Sequence, residues 1–339
     1  MANSQPKYHH LIPQTYMSAW EHGNGTLYVK LLDDDKVIER NKERISGINH
    51  YHSIFAGMPI CTKEDADFLF SPVSKYNIKY KDKIISDSLE LNQIFHDFDK
   101  WEITRDDGTL VSKRKVKNEI KRLKVNDIEV MWSKQFENRW NDTRNIIEKV
   151  ILTAKTDSVP SFKKEFLMKF YTALNWRSIK SNFIFDDAIK KLCDEIMLLN
   201  EIDIPVDERY IDILDNATDE IRHCMLLKFY RLYLNNDGMI YKNAMANLKY
   251  TSFHFFIADE EGTFITSDNP SFIYKRKDGR MMGLLPITPR ILMCQGKAEE
   301  DDGNYYITKL TNKEVKRYNR IIEDNANQFI IIKDEKTYP

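Results

Sequence analysis

The sequence predicts an α+β fold, with a helical bundle in the middle of the chain and β-strands and hairpins contributed by both ends. Three observations carry this. Short β-rich runs separated by turn residues fill roughly the first third. From about residue 114 apolar side chains recur every three or four positions. Near Tyr250 runs rich in aromatic and β-branched residues return. No internal repeat and no Ser/Gly linker divides the 339 residues. The expectation is therefore a single α+β domain, β-rich over 1–112, helical over 113–247 and β-rich again over 248–339.

In chain order, Leu27–Leu32 and Lys36–Arg40 flank Asp33-Asp34-Asp35, which predicts a hairpin. A second hairpin joins Trp101–Thr104 to Thr109–Val111 through Asp107-Gly108, a favoured turn pair. Between them, Thr62 ahead of Glu64 and Asp65 reads as a helix cap. Helical periodicity runs over Asp127–Ala154, where Ile128, Met131, Trp132, Phe136, Trp140, Ile147, Val150 and Ile151 recur at near three-or-four spacing. It resumes over Ser161–Phe183, Asp186–Leu199 and Asp207–Leu234; Ser161 is offered as a cap although Glu165 misses the capping-box offset by one. After Gly238 strands are expected at Tyr250–Ala258, Thr263–Thr266 and Gly283–Cys294, the last broken by Pro286 and Pro289. A helix at Asn312–Asn325 and a strand at Phe329–Ile332 close the chain, and the two β-rich ends are expected to meet.

Charge is balanced, 51 basic residues against 52 acidic, so the chain lacks the overall basic excess of a dedicated nucleic-acid coat. Several basic residues crowd Lys113–Lys124 around Val116, Ile120 and Leu123; a solvated helix face outweighs phosphate contact there. The four cysteines, Cys61, Cys193, Cys224 and Cys294, are widely spaced without a C-x-x-C, which reads as buried free thiols. The first residues have no apolar signal core, and no run of about 18 apolar residues occurs. A cytoplasmic protein without membrane association is expected. Phosphate-cradling loops, dinucleotide fingerprints, nucleophile elbows and His-Glu-x-x-His are all missing from the sequence.

Candidate chemistry rests on scattered residues. His10 precedes an Ile-Pro-Gln turn and offers a general base, a metal ligand or a surface imidazole; Gln14 and Tyr16 stand in the same turn. Asp268 and Asn269 follow a strand and precede Pro270, where an aspartate serves as base, ligand or Asx-turn former. Arg177, after Asn175-Trp176, ends an apolar helix; the helix dipole alone explains it, and a cleft would make it an anion clamp. Glu137 lies on an amphipathic helix, where a solvated charge is the simpler reading.

Taken together, these residues resemble the bacterial domain-of-unknown-function 4238 family over nearly the whole chain. The resemblance is carried by His10-x-x-Pro13-Gln14-x-Tyr16-Met17 with Trp20, by Tyr51, Glu137 and Asn175-Trp176-Arg177, and by Thr266-Ser267-Asp268-Asn269-Pro270. Pro286-Ile287-Thr288-Pro289, Asn319 and Ala326 complete it. Asn175 stands where the family usually has Gln, and Ile287-Thr288 where it usually has Leu-Ser. The resemblance implies that His10, Glu137, Arg177 and Asp268 converge. Some relatives occur among single-gene defences against phage, which implies that role here.

Two functions are expected from this set. One is a hydrolase acting on nucleic acid or a nucleotide, with His10, Glu137 and Asp268 as acid, base or metal ligands. A divalent metal is the cofactor it would take, and Arg177, Gln14, Tyr16, Asn175 and Asn269 would hold substrate. The other is a non-enzymatic sensor or interaction module in which the same residues pin the β-rich ends to the helical middle.

Overall fold

A computed structural model describes residues 7–34, 36–182, 202–300 and 302–335. They form an α+β architecture that divides into two compact units. The smaller unit holds residues 50–131 and 202–231, and the larger holds 8–49, 132–182 and 232–335.

The larger unit is built on two main sheets. The hairpin Thr26–Leu31 and Val37–Asn41 forms as the turn residues require. It is extended by Phe329–Ile332, which lies antiparallel between Thr26–Leu31 and the short strand Thr266–Ser267. The chain's two β-rich ends therefore meet in one sheet. The second sheet has six strands in the order Phe272–Lys275, Met281–Thr288, Ile291–Lys297, Thr251–Ala258, Asn304–Leu310 and Ser158–Pro160. All its pairs are antiparallel except Thr251–Ala258 with Asn304–Leu310. Phe264, Ile265, Leu284, Leu292, Ile322 and Ile330 bury its core. Pro286 is tolerated inside a strand because Phe272–Lys275 pairs only as far as Leu284, and a register shift follows between Pro286 and Thr288.

Helices pack on this frame with a second layer of apolar contact. Trp140 stacks on Phe170 with ring centres 4.1 Å apart. Tyr16 lies 5.4 Å from Trp20, and all four rings are buried. The helical stretch expected over Asp127–Ala154 is one run with a π turn at Ser133–Glu137 between Asp127–Trp132 and Asn138–Leu152. The next helix spans Lys164–Arg177; its N-cap is Lys163 at φ 49°, without a side-chain cap bond, so Ser161 does not cap it. The expected helix Asp186–Leu199 lies outside the described residues. Helix Gly238–Leu248, absent from the expected elements, precedes the strand Thr251–Ala258. The carboxy-terminal helix Asn312–Asn325 opens with a Thr311/Glu314 capping box.

In the smaller unit a three-stranded sheet, Lys83–Ile84, Asn77–Tyr80 and Glu102–Thr104, joins several helices. Thr62 caps Lys63–Leu69 through a capping box with Asp65. The Asp107-Gly108 turn forms, with Val111 N–H bonded to the Ile103 carbonyl at 2.9 Å. Ser112 caps Lys113–Arg122, whose Val116 and Ile120 are fully buried. The thiols of Cys61, Cys224 and Cys294 are free and buried, and burial pushes each up to about 12; Cys193 lies outside the described residues. No described helix is long and apolar enough to cross a membrane.

Candidate functional site

All eight residues proposed for chemistry fall in the larger unit. Burial and hydrogen bonding place them in two connected groups. The first surrounds Arg177. Its helix ends with the guanidinium buried, 3% exposed, and 4.1 Å from the centre of the Trp132 ring. Arg177 Nε donates to the His10 carbonyl at 2.9 Å, and Nη2 donates to the same oxygen. Trp132 Nε1 in turn donates to Glu137 Oε1 at 3.2 Å, while Ser133 Oγ donates to Glu137 Oε2 at 2.8 Å. The π turn makes this closure, because Ser133 and Glu137 are its first and last residues.

The His10 imidazole faces the other way. Its Nε2 lies 3.2 Å from both Gln14 Nε2 and the Glu43 carbonyl. The first contact needs a lone pair on Nε2 and the second needs a proton, so one ring state satisfies only one of them.

The second group surrounds the strand Thr266–Ser267. Tyr16 is fully buried; its hydroxyl donates to the Pro286 carbonyl at 2.7 Å and meets Thr266 Oγ1 at 2.8 Å. Burial pushes its pKa far above that of a free phenol. Asp268 Oδ1 and Oδ2 accept the N–H groups of Asn327 and Gln328 at 2.8 and 2.7 Å. Burial raises the Asp268 carboxyl pKa, against those backbone donors. Asn269 Nδ2 donates to the Asn325 carbonyl at 3.2 Å, and Asn175 Nδ2 to the Ser271 carbonyl at 2.8 Å. Ser178 Oγ reaches the Asp268 carbonyl at 3.4 Å, so the residue next to Arg177 ties the two groups together.

His10, Gln14, Glu137 and Arg177 are thus joined through Trp132 and one carbonyl. Asp268 meets its partners at the turn after the carboxy-terminal helix. Two supporting residues were not foreseen. Arg144 Nη1 donates to Ser18 Oγ at 2.9 Å. Trp132 was read as core, and nothing in its helical spacing marks it as a bridge between Glu137 and Arg177.

A large hollow of the unit lies elsewhere. It has about 1340 Å³ and is bounded by helices Lys164–Arg177 and Gly238–Leu248 and by strands Met281–Thr288 and Ile291–Lys297. Met239, Tyr250, Ile273 and Met281 line it while remaining 67, 43, 58 and 55% exposed. Asn175 is the one sequence-proposed residue on its wall; Arg280, Lys297 and Glu299 add charge. The floor is rigid. Tyr171 Oη donates to the Phe272 carbonyl at 2.8 Å and accepts from Gln295. Gly283 is needed beside them, since a Cβ there would lie 2.5 Å from Gln295 Cγ.

All of these residues lie within the stretch matched by one family model. The model of the protein family of unknown function DUF4238 matches residues 8–336. The chain belongs to this family. That match spans both units and every motif described above. Searches of curated proteins and of solved structures give no match.

Proposed function

We propose that this family member is a non-enzymatic ligand-binding or sensor protein, with the motif residues as its frame and the 1340 Å³ hollow as its binding site. The supporting observation is the convergence of four large, exposed apolar side chains, Met239, Tyr250, Ile273 and Met281, on one concave surface. Isolated exposed apolar residues are ordinary, but a concave group is the usual character of a small-molecule site. Flexible methionines suit it to an apolar ligand body, with Lys297 available to an acidic end, while Arg280 is held by Asp278 at 2.7 Å.

The frame role is supported by what the motif side chains bond. Tyr16, Asn175, Arg177, Asp268 and Asn269 each hold main-chain atoms from a distant part of the unit. A substrate would have to displace those bonds, at about 1–3 kcal/mol for each buried group left unpaired.

The test uses 1-anilinonaphthalene-8-sulfonate, which joins an apolar body to an anion. Saturable binding is expected, weakened at least tenfold by Met281→Asp and Ile273→Asp without loss of melting temperature. Equal binding to wild type and both variants would overturn the assignment.

A hydrolase acting on nucleic acid or a nucleotide is the second reading. It is favoured by one observation, the linkage of His10, Glu137 and Arg177 through Trp132. Purified protein that neither binds Mg²⁺ or Mn²⁺ nor turns over DNA, RNA or nucleotides would remove it. Both readings accommodate the phage-defence role implied by the resemblance; plaque counts on cells carrying wild type or Met281→Asp would test it.

A further inference from the structure

We infer that the exposed face of helix Lys113–Arg122, in the smaller unit, binds the phosphate backbone of duplex nucleic acid without regard to sequence. This is separate from the hollow and does not depend on it. The helix carries six cations and one acid, Glu119, in a chain whose formal net charge is −1. Its apolar residues Val116 and Ile120 are fully buried, so the outward side is polar throughout.

The cations differ in what they already do. Lys113 Nζ donates to the Asp99 carbonyl at 2.7 Å, Lys117 lies 3.7 Å from the Asp99 carboxylate, and Lys121 donates to the Asp207 carbonyl at 3.1 Å. Arg114, Lys115 and Arg122 have no acidic partner within 4 Å among the described residues. These three, with Ser112, Asn118 and Glu119, line a shallow depression of about 400 Å³. Positions 114, 118 and 122 stack on one face at intervals of four, and 115 and 119 stack beside them. Arg114 to Arg122 covers about 12 Å at 1.5 Å per residue. That length spans three or four phosphates of one strand, at about 3.4 Å per phosphate measured along the duplex axis.

The chemistry favours a duplex backbone over other polyanions. No aromatic ring lines the depression, so bases of a single strand have nothing to stack on. The same face offers no apolar side chain for insertion into a bilayer. Glu119 opposes close packing of anions at one end. It leaves the Arg114, Asn118 and Arg122 row clear.

The experiment is fluorescence anisotropy of the full chain with a fluorescein-labelled random duplex DNA of about two helical turns, titrated at several salt concentrations. Three phosphate contacts predict a slope of log affinity against log salt of about −2.7, or roughly a forty-fold loss between 50 and 200 mM. The triple variant Arg114→Gln, Lys115→Gln, Arg122→Gln should flatten that slope towards zero. A matched triple, Lys313→Gln, Lys316→Gln, Arg317→Gln, removes the same charge from another exposed helix and should leave it intact. All six positions are exposed, so melting temperatures should not move. No DNA binding at 50 mM salt, equal loss in both triples, or stronger binding to phosphatidylserine vesicles than to DNA would each overturn the proposal.

Discussion

In the larger unit Tyr16, Asn175, Arg177, Asp268 and Asn269 direct their side chains to main-chain atoms. In the smaller unit Arg231, Asp65, Asp127, His52 and Glu129 direct theirs to one another. Arg231 holds Asp65 through two bonds of 2.6 and 2.8 Å and faces Asp127 Oδ2 at 2.9 Å. His52 Nδ1 meets Glu129, and Ser53 Oγ donates to Asn126 at 2.6 Å. A carbonyl keeps its charge state at every pH, whereas an ion pair is only as stable as both of its charges. Apart from Asp268, whose carboxylate itself titrates, the first arrangement should therefore be insensitive to acid and the second should not.

The sharpest way to break this contrast is Arg231→Leu. Burial opposes ionisation of Asp65, but the bonds and charge of Arg231 outweigh it and hold the carboxyl below its ordinary pKa. Removing the guanidinium leaves two acids with no counter-charge, one of them buried, at a cost of about 3–5 kcal/mol. Urea unfolding should show that loss; a change under 1 kcal/mol would mean the ion pairs hold little.

Acid should then separate the units. His223 is 3% exposed, and its pKa is depressed to about 3 by burial first and by His52 second. Its folded pKa lies below its unfolded value near 6.5, so the unfolded chain takes up the proton first. Stability is fully present above that pH and falls as pH drops towards 3. From pH 7 to pH 5 the loss is on the order of 2 kcal/mol. Asp268 has the opposite sign: its raised folded pKa makes acidification just above the unfolded value favour the fold. Hydrogen exchange at pH 5 should open the smaller unit's amides first, and His223→Leu should abolish the difference.

A smaller effect is expected from Tyr16→Phe, which strands the Pro286 carbonyl and should cost about 1–3 kcal/mol. Asp268→Asn should be smallest, near 1 kcal/mol, since one amide oxygen still accepts one of the two backbone donors. If Asp268→Asn instead abolishes a biological activity at unchanged melting temperature, the frame reading of that residue fails.

What the sequence made legible follows the range of the interactions. The hairpin around Asp33–Asp34, the Thr62 cap and helix Asn312–Asn325 are set by neighbours a few residues apart, and each formed as read. Strand Asn304–Leu310 was not foreseen, because its parallel partner Thr251–Ala258 lies some fifty residues away and leaves no local trace. Helix Gly238–Leu248 falls in the part expected to be helical but was not named as an element, because the stretch is apolar on most sides and opens at a glycine with φ +81°. The motifs pointed to polar residues meeting across the larger unit, and Arg177 does reach His10. They could not say that the contact is with a carbonyl rather than the imidazole. Asp65 was read only beside the Thr62 cap and Asp127 only as a helix start, and nothing marked either as a partner of Arg231, since each alone reads as an ordinary helix charge.

The strand Phe329–Ile332 sits between Thr266–Ser267 and Thr26–Leu31. During synthesis the amino-terminal hairpin must therefore wait, with one backbone edge unsatisfied, until about three hundred further residues have left the ribosome. Until then that open edge is a template for a neighbouring chain. Loss of the last strand would leave the hazard permanent, so a late truncation is expected to yield insoluble protein rather than a shorter working one.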